Sequence, residues 1–160
     1  MPANLRIREC VAADAAELAR LRVDFLRELG QHLPAGFGTT LAAWFGSALG
    51  TSRLRAWVAE DGGSIVGTAA INPFERIPNG TNPVGVGWYV INVYVLPEMR
   101  GGGVAGDLMR AVHAAAAIAG VPVLELHASD HGRPVYARLG YVAPPDFMAV
   151  RLGQTKGEMT

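Results

Sequence analysis

One stretch limits what this chain can fold into more than any other. Val90-Ile91-Asn92-Val93-Tyr94-Val95 is a β-branched and aromatic run that stops at Leu96-Pro97. After Glu98-Met99-Arg100 come Gly101, Gly102 and Gly103, and from Val104 onward the apolar residues recur at helical spacing. The pattern predicts a strand, a tight turn and a helix start. Glycines at that junction let the backbone turn its N–H groups toward a guest, and the positive end of the helix dipole favours negative charge at the same point. The stretch therefore reads as an anion cradle for a phosphate or pyrophosphate, with main-chain donors running from Gly101 to Gly106.

Two common phosphate loops fit it poorly. A Walker loop needs a Lys followed by Ser or Thr after the glycines, and Asp107 and Leu108 occupy that region. The dinucleotide fingerprint matches literally, with Gly101, Gly103 and Gly106 in G-x-G-x-x-G order and Glu125 near the distance expected of a ribose-binding acid. In that fingerprint the first glycine follows the strand almost at once, whereas Leu96-Pro97-Glu98-Met99-Arg100 intervene here. Too little chain also remains after Ala128 for the further βα units of a doubly wound sheet.

A third pattern fits the flanks as well. Arg100-Gly101-Gly102-Gly103-Val104-Ala105, preceded by a strand ending in Val95-Leu96-Pro97-Glu98, resembles the Arg/Gln-x-x-Gly-x-Gly/Ala signature of the GNAT superfamily of N-acetyltransferases. A second block runs from Leu124-Glu125-Leu126-His127-Ala128-Ser129-Asp130 through Arg133-Pro134-Val135-Tyr136-Ala137-Arg138-Leu139-Gly140-Tyr141. It resembles the family's next strand and its Leu-Tyr-x-x-x-Gly-Phe helix end. The resemblance is specific over residues 88–141 and compatible in element order over most of the remainder. It implies a single-domain α/β fold, a mixed and mostly antiparallel central sheet flanked by helices, with strands splayed to form an acetyl-CoA slot. The domain is expected over residues 1–152, with a polar C-terminal tail over 153–160.

Composition agrees with one domain. The chain has 160 residues, half of them hydrophobic, enough for a substantial core. Its 14 basic and 14 acidic residues cancel, so nothing supports a general electrostatic grip on nucleic acid or an anionic membrane. Cys10 is the sole cysteine, which excludes an internal disulfide framework and fits a reducing compartment. No basic n-region, signal-like apolar run or bilayer-length segment is present, so a soluble cytoplasmic protein is expected.

Taken in order, Leu5-Arg6-Ile7-Arg8 alternates as a strand, and a helical pattern follows from Ala12 to about Leu29-Gly30. Asp14 is its candidate N-cap, and Leu18, Leu21, Phe25 and Leu29 form its apolar face. A loop over 30–38 leads to a second amphipathic helix near Thr40 to Leu49, carrying Trp44 and Phe45. Leu54 to Glu60 and Ser64 to Ile71 read as a hairpin around Asp61-Gly62-Gly63. The Pro-, Gly- and Asn-rich stretch over 72–87 reads as a long excursion, either lying over the acceptor side of a site or forming a surface hairpin. Leu108, Met109, Val112, Ala116 and Ala119 make the buried stripe of the helix after the glycines, which ends at Gly120. A strand over Val121 to Ala128, a short helix from Arg133 or Pro134 to Leu139-Gly140, and a closing strand over Met148 to Leu152 complete the order.

The resemblance implies roles for particular residues. Main chain from Gly101 to Gly106 would bind the pyrophosphate of coenzyme A, and exposed main chain at Val93, Tyr94 and Val95 would pair with the amides of the pantetheine arm. Arg100 would add charge or brace the loop. Tyr136 matches the tyrosine that commonly protonates the departing thiolate. Asp130 stands where the family often has a coenzyme-contacting Asn, and a carboxylate lacks the amide donor.

Acetyl transfer to an amine also needs a proton acceptor, because a lysine-like amine with a pKa of ~10.4 is almost wholly protonated at neutral pH. By strand alternation Val123, Glu125 and His127 share one face, opposite Leu124, Leu126 and Ala128. Glu125 falls where some family members carry their general base. His127, whose ordinary pKa lies near neutrality, and a water chain are the alternatives. Glu125, His127 and His131 straddle a strand end and a loop without a recognised ligand spacing, so no metal is expected. Cys10 is far in sequence from both motifs, so direct attack is preferred to an acyl-cysteine route. The expected function is direct N-acetylation of a small-molecule or peptide amine by acetyl-CoA, and a homodimer is compatible with it. A coenzyme A-binding sensor without turnover is the alternative.

Overall fold

The computed structural model describes residues 4–153. Strand β1 (Arg6–Glu9), helices α1 (Ala15–Glu28) and α2 (Phe37–Ala48), strands β2 (Arg55–Asp61), β3 (Ser64–Glu75) and β4 (Val86–Val95), helix α3 (Val104–Ala119), strand β5 (Leu124–Glu125) and helix α4 (Arg133–Arg138) follow in that order. The five strands lie in sequence order in one open sheet. The first three pairings are antiparallel and β4–β5 is parallel. The parallel step is imposed by α3, whose length carries the chain back across the sheet.

Alternation along each strand sorts the side chains onto two cores. Ala56, Val58 and Ala70 face α1 and α2, where they meet Leu18, Ala19, Phe45 and Ala48. Trp57, Ala59, Ala69, Ile71 and Val90 face the other way, against Val104, Leu108, Met109, Val112 and Ala116 of α3. Helices therefore cover both faces, and the β4–β5 end carries the glycine junction. No helix among the described residues is long and apolar enough to cross a membrane.

Several elements differ from the sequence expectation. The β2–β3 hairpin extends to Glu75, and β4 begins at Val86, so residues 72–75 and 86–87 belong to the ladder and only 76–85 remains a loop. Pro73 is tolerated because β2 pairing ends at Ile71, leaving the missing N–H on a side with no neighbouring strand. Asp14 does not cap α1. Its carboxylate accepts the Val11 N–H at 2.8 Å and a two-pronged contact from Arg8 at 2.8 and 2.9 Å. Leu29 lies beyond the last turn and is exposed, and Leu26 takes its place in the core.

Of two further strand expectations, one holds only in part and the other fails. The strand expected over Val121 to Ala128 pairs only at Leu124 and Glu125, because β4 diverges from it beyond Tyr89. The closing strand expected over Met148 to Leu152 is absent. Met148, Val150 and Leu152 stand 92%, 74% and 89% exposed. Period-two alternation favours a strand only where a partner ladder exists, and β5 offers almost none. Of the polar tail expected over 153–160, residues 154–160 lie outside the described residues.

Candidate active site

The β-branched run becomes β4, and β4 outlasts its partner. Trp88 and Tyr89 pair with Leu124 and Glu125, after which the remainder of β4 up to Val95 has no strand on that side among the described residues. Main-chain donors and acceptors are thereby left in a slot between diverging strands, where an extended ligand with amides can take the place of a strand. Of the expected contacts, Val93 and Val95 lie along this slot, the Val95 carbonyl also accepting from Arg100, whereas Tyr94 turns its main chain toward Thr68 on β3 because antiparallel pairing alternates sides.

At its end the chain makes a short turn over Pro97–Met99 and enters the glycines. Gly101 and Gly103 sit at φ of 82° and 86°, the left-handed region. Gly103 is the N-cap of α3 and has no side chain to bond the first-turn N–H groups. The N–H groups of Val104, Ala105 and Gly106 therefore keep the unmet donor capacity of a helix start. A Cβ built on Gly101 or Gly103 meets no atom within 4 Å, so these glycines are required by conformation and not by space. An anionic group fits this terminus on chemistry alone.

Arg100 braces this junction. Its Nε donates to the Val95 carbonyl at 2.9 Å, Nη2 donates to Glu28 at 2.8 Å, and the guanidinium lies over the Tyr94 ring. Tyr94 donates its hydroxyl to the other oxygen of Glu28 at 2.7 Å and stacks on Phe25. The end of α1 is thus tied to the strand and the turn that lead into the glycines. These two hydrogen bonds hold the Glu28 carboxyl below its usual range, and burial followed by the Glu28 contact pushes Tyr94 up to about 12. Glu28 was not legible as a site residue, because its partners are distant in sequence.

The proton-transfer candidates divide between the two faces of the sheet. Leu124 packs on the α3 core, so Glu125 lies on the α1/α2 face, and His127, beyond the end of β5, is held on that face by Tyr89, whose neighbours Trp88 and Val90 point into the α3 core. Glu125 forms a two-pronged ion pair with Arg76, one contact measuring 2.8 Å. His127 Nδ1 shares a hydrogen bond with the Tyr89 hydroxyl, and Phe147 packs edge-on against its ring. Arg76 and Tyr89 were missed from sequence, the former because it lies in the loop between two paired strands. Tyr136, on α4, is buried in the α3-side core, edge-on to Tyr141 and over Gly132, and burial raises its phenol pKa. Asp130 is exposed on the loop between β5 and α4.

Cys10 lies off this constellation, lining a cavity of about 220 Å³ with Leu49 and Leu54, and burial pushes its thiol up to about 12. Such a thiol is a poor nucleophile at neutral pH. No group of three His, Cys, Asp or Glu side chains among the described residues is placed to hold a metal ion.

An open sheet with splayed parallel strands, a glycine-hinged helix start at the mouth of the slot, and titratable groups on both sides define the architecture of a coenzyme A-dependent acyltransferase. The chain belongs to the GNAT acetyltransferases, residues 52–143 matching the Acetyltransferase (GNAT) domain. Similar folds agree. A predicted acetyltransferase from Clostridium acetobutylicum, solved with acetyl-CoA, superposes with a TM-score of 0.84 at 28% identity, covering 93% of this chain and 97% of that one. A ribosomal-protein-alanine N-acetyltransferase from Brucella melitensis biovar Abortus 2308 gives 0.72 at 22% identity over 94% and 100% of the two chains. The aminoglycoside N-acetyltransferase AAC(6')-Iy, in complex with CoA, gives 0.74 at 20% identity over 92% and 94%. No curated protein matches the chain.

Proposed function

We propose that this protein transfers an acetyl group from acetyl-CoA directly to an amine of a small molecule or peptide. The observation that carries the reading is the unpaired part of β4 leading into the uncapped, glycine-hinged start of α3. Pyrophosphate would rest on the N–H groups of residues 101–106, and the amide-bearing arm would pair with β4 from Val95 back toward Val93.

Bound acetyl-CoA supplies an activated acyl carbon and a thiolate leaving group. The arrangement of the chain's own residues suits the displacement. Glu125 and His127 lie on one face of the sheet, while Tyr136 packs with the core on the other. An amine entering from the α1/α2 face would form its bond to the acetyl carbon as the carbon–sulfur bond breaks toward the α3 face. The amine proton would pass to Glu125, to His127 or to water, and Tyr136 would return a proton to sulfur. Desolvation suits Tyr136 to the acid role, because a phenol with a raised pKa holds its proton at neutral pH.

Folds alike at this level act in one relative on an aminoglycoside and in another on a ribosomal-protein alanine. One observation favours a second reading, a coenzyme A-binding sensor: Arg76 already engages both carboxylate oxygens of Glu125. Incubation of the protein with acetyl-CoA and a panel of small amines and N-terminal peptides, followed by thiol release and mass spectrometry of the acceptors, separates the two. An enzyme acetylates at least one class of amine, whereas a sensor binds acetyl-CoA and acetylates none.

A further inference from the structure

Asn92 breaks three rules at once. It is the only non-glycine residue at positive φ among the described residues, at 58°. It is 5% exposed, inside a strand otherwise made of Val, Ile and Tyr side chains at this point. Its Oδ1 and Nδ2 are both buried without a hydrogen-bond partner, and the one other such side-chain atom among the described residues is Thr68 Oγ1.

These features meet at one place. The β3–β4 register jumps between Thr68↔Tyr94 and Ala70↔Ile91, so Asn92 and Val93 together face Ala69 in a β-bulge. Asn tolerates the left-handed conformation better than most residues, which accounts for the backbone. It does not account for leaving a carboxamide buried and unpaired, which in a folded protein ordinarily marks a water, a ligand or a reacting group. Glycine would satisfy the backbone without that cost.

The bulge also has a particular position in the slot. It falls just past Tyr89, the last β4 residue paired with β5, at the closed end opposite the glycine cradle. A coenzyme whose pyrophosphate rests at residues 101–106 and whose arm pairs along Val95 to Val93 brings its thioester to this end. Resting on that reading of the function, we infer that the Asn92 carboxamide contacts the thioester, donating Nδ2–H to the carbonyl oxygen and strengthening that bond as the oxygen gains negative charge. A buried amide donor is suited to this because its bond to a developing charge is strong where water is excluded, and the thioester reaches it by displacing the neighbours that bury it. Asn92 would then be a catalytic residue of the proposed reaction.

The test separates the carboxamide from the backbone requirement. Asn92→Gly keeps the left-handed conformation and removes the amide, and Asn92→Asp, read at alkaline pH where its carboxylate is ionised, keeps the shape while exchanging the donor for an acceptor-only group. Each protein is saturated with acetyl-CoA labelled with ¹³C at the thioester carbonyl, and the bound carbonyl stretch is read by isotope-edited infrared difference spectroscopy. The carbonyl band of the parent complex should lie at lower wavenumber than that of either variant. With an established acceptor, kcat should fall by about 10²-fold with little change in KM. A carbonyl band at the same position in the parent and a folded variant overturns the inference and assigns the buried amide to a water or to the bulge alone. Should Asn92→Gly fail to fold, the Asn92→Asp complex decides by the same band. Calorimetry on the parent keeps the two proposals apart: absence of acetyl-CoA binding there overturns the functional reading itself, and the inference with it.

Discussion

Replacing Gly103 tests the cradle where its geometry is simplest. The residue sits at φ of 86° with open space around an added Cβ, so substitution brings no clash and the cost is conformational. For an L-residue that cost is about 1–2 kcal/mol. A domain of this size loses about 2–4 °C in Tm per kcal/mol, so Gly103→Ala should stay folded with a modestly lowered melting point. The β-branched Gly103→Val should relieve more strain by rotating the turn, and that rotation moves the N–H groups of Val104 and Ala105 away from the anion. Each charge-assisted hydrogen bond lost is worth about 1.5–3 kcal/mol, so one or two of them weaken acetyl-CoA binding by about 10- to 10⁴-fold. The matched control is Gly62→Ala in the β2–β3 turn, where φ is also positive, at 56°, and space is equally open. That variant should lose comparable stability and no affinity. Isothermal titration of acetyl-CoA into the proteins, with thermal melts alongside, reads both quantities. A folded Gly103→Val protein with parental affinity would refute the cradle.

Other expectations follow from the same geometry. Tyr136→Phe keeps the ring but removes the proton donor, and should lower kcat by about 10²-fold or more with little change in acetyl-CoA affinity, as steady-state kinetics and calorimetry would show. Glu125→Gln should slow transfer most where the amine is protonated and recover partly at high pH; a pH–rate profile superimposable on the parent would pass the base role to His127 or water. The Arg8 hydrogen bonds hold the Asp14 carboxyl below its usual range, so its contribution is present above the ordinary carboxylate pKa of ~4 and is lost as pH falls through the folded value. Asp14→Asn should accordingly cost about 2 kcal/mol at neutral pH, a difference that narrows toward acid in denaturant melts. At Gly87 an added Cβ would stand 2.2 Å from the Phe74 ring and 2.8 Å from Val123, so Gly87→Ala should destabilise by about 1–3 kcal/mol in the same assay.

Local chemistry alone determined much of this protein. The run from Val90 to Val95, the glycines and the apolar stripe of α3 each state a preference within a few residues, so strand, turn and helix were legible with the expected cradle at their junction. The Asp61-Gly62-Gly63 turn and the opposite faces of Leu124 and Glu125 were legible for the same reason. What depended on partners distant in sequence was not. Met148 to Leu152 alternates as a strand should, yet has no ladder to join. Asp14 looks like a cap, and becomes an ion-pair partner because Arg8 on β1 reaches it before the helix does. Glu125 could be placed on the correct face, but its engagement by Arg76 arises only once β3 and β5 flank β4 in the sheet. Asn92 could be read as a polar residue in an apolar run, whereas its positive φ and buried, unpaired amide exist only once β3 and β4 slip past one another. Periodicity and turn chemistry act through neighbouring residues and survive in the sequence, while register, divergence of strands and desolvation are set by the other elements packed against them.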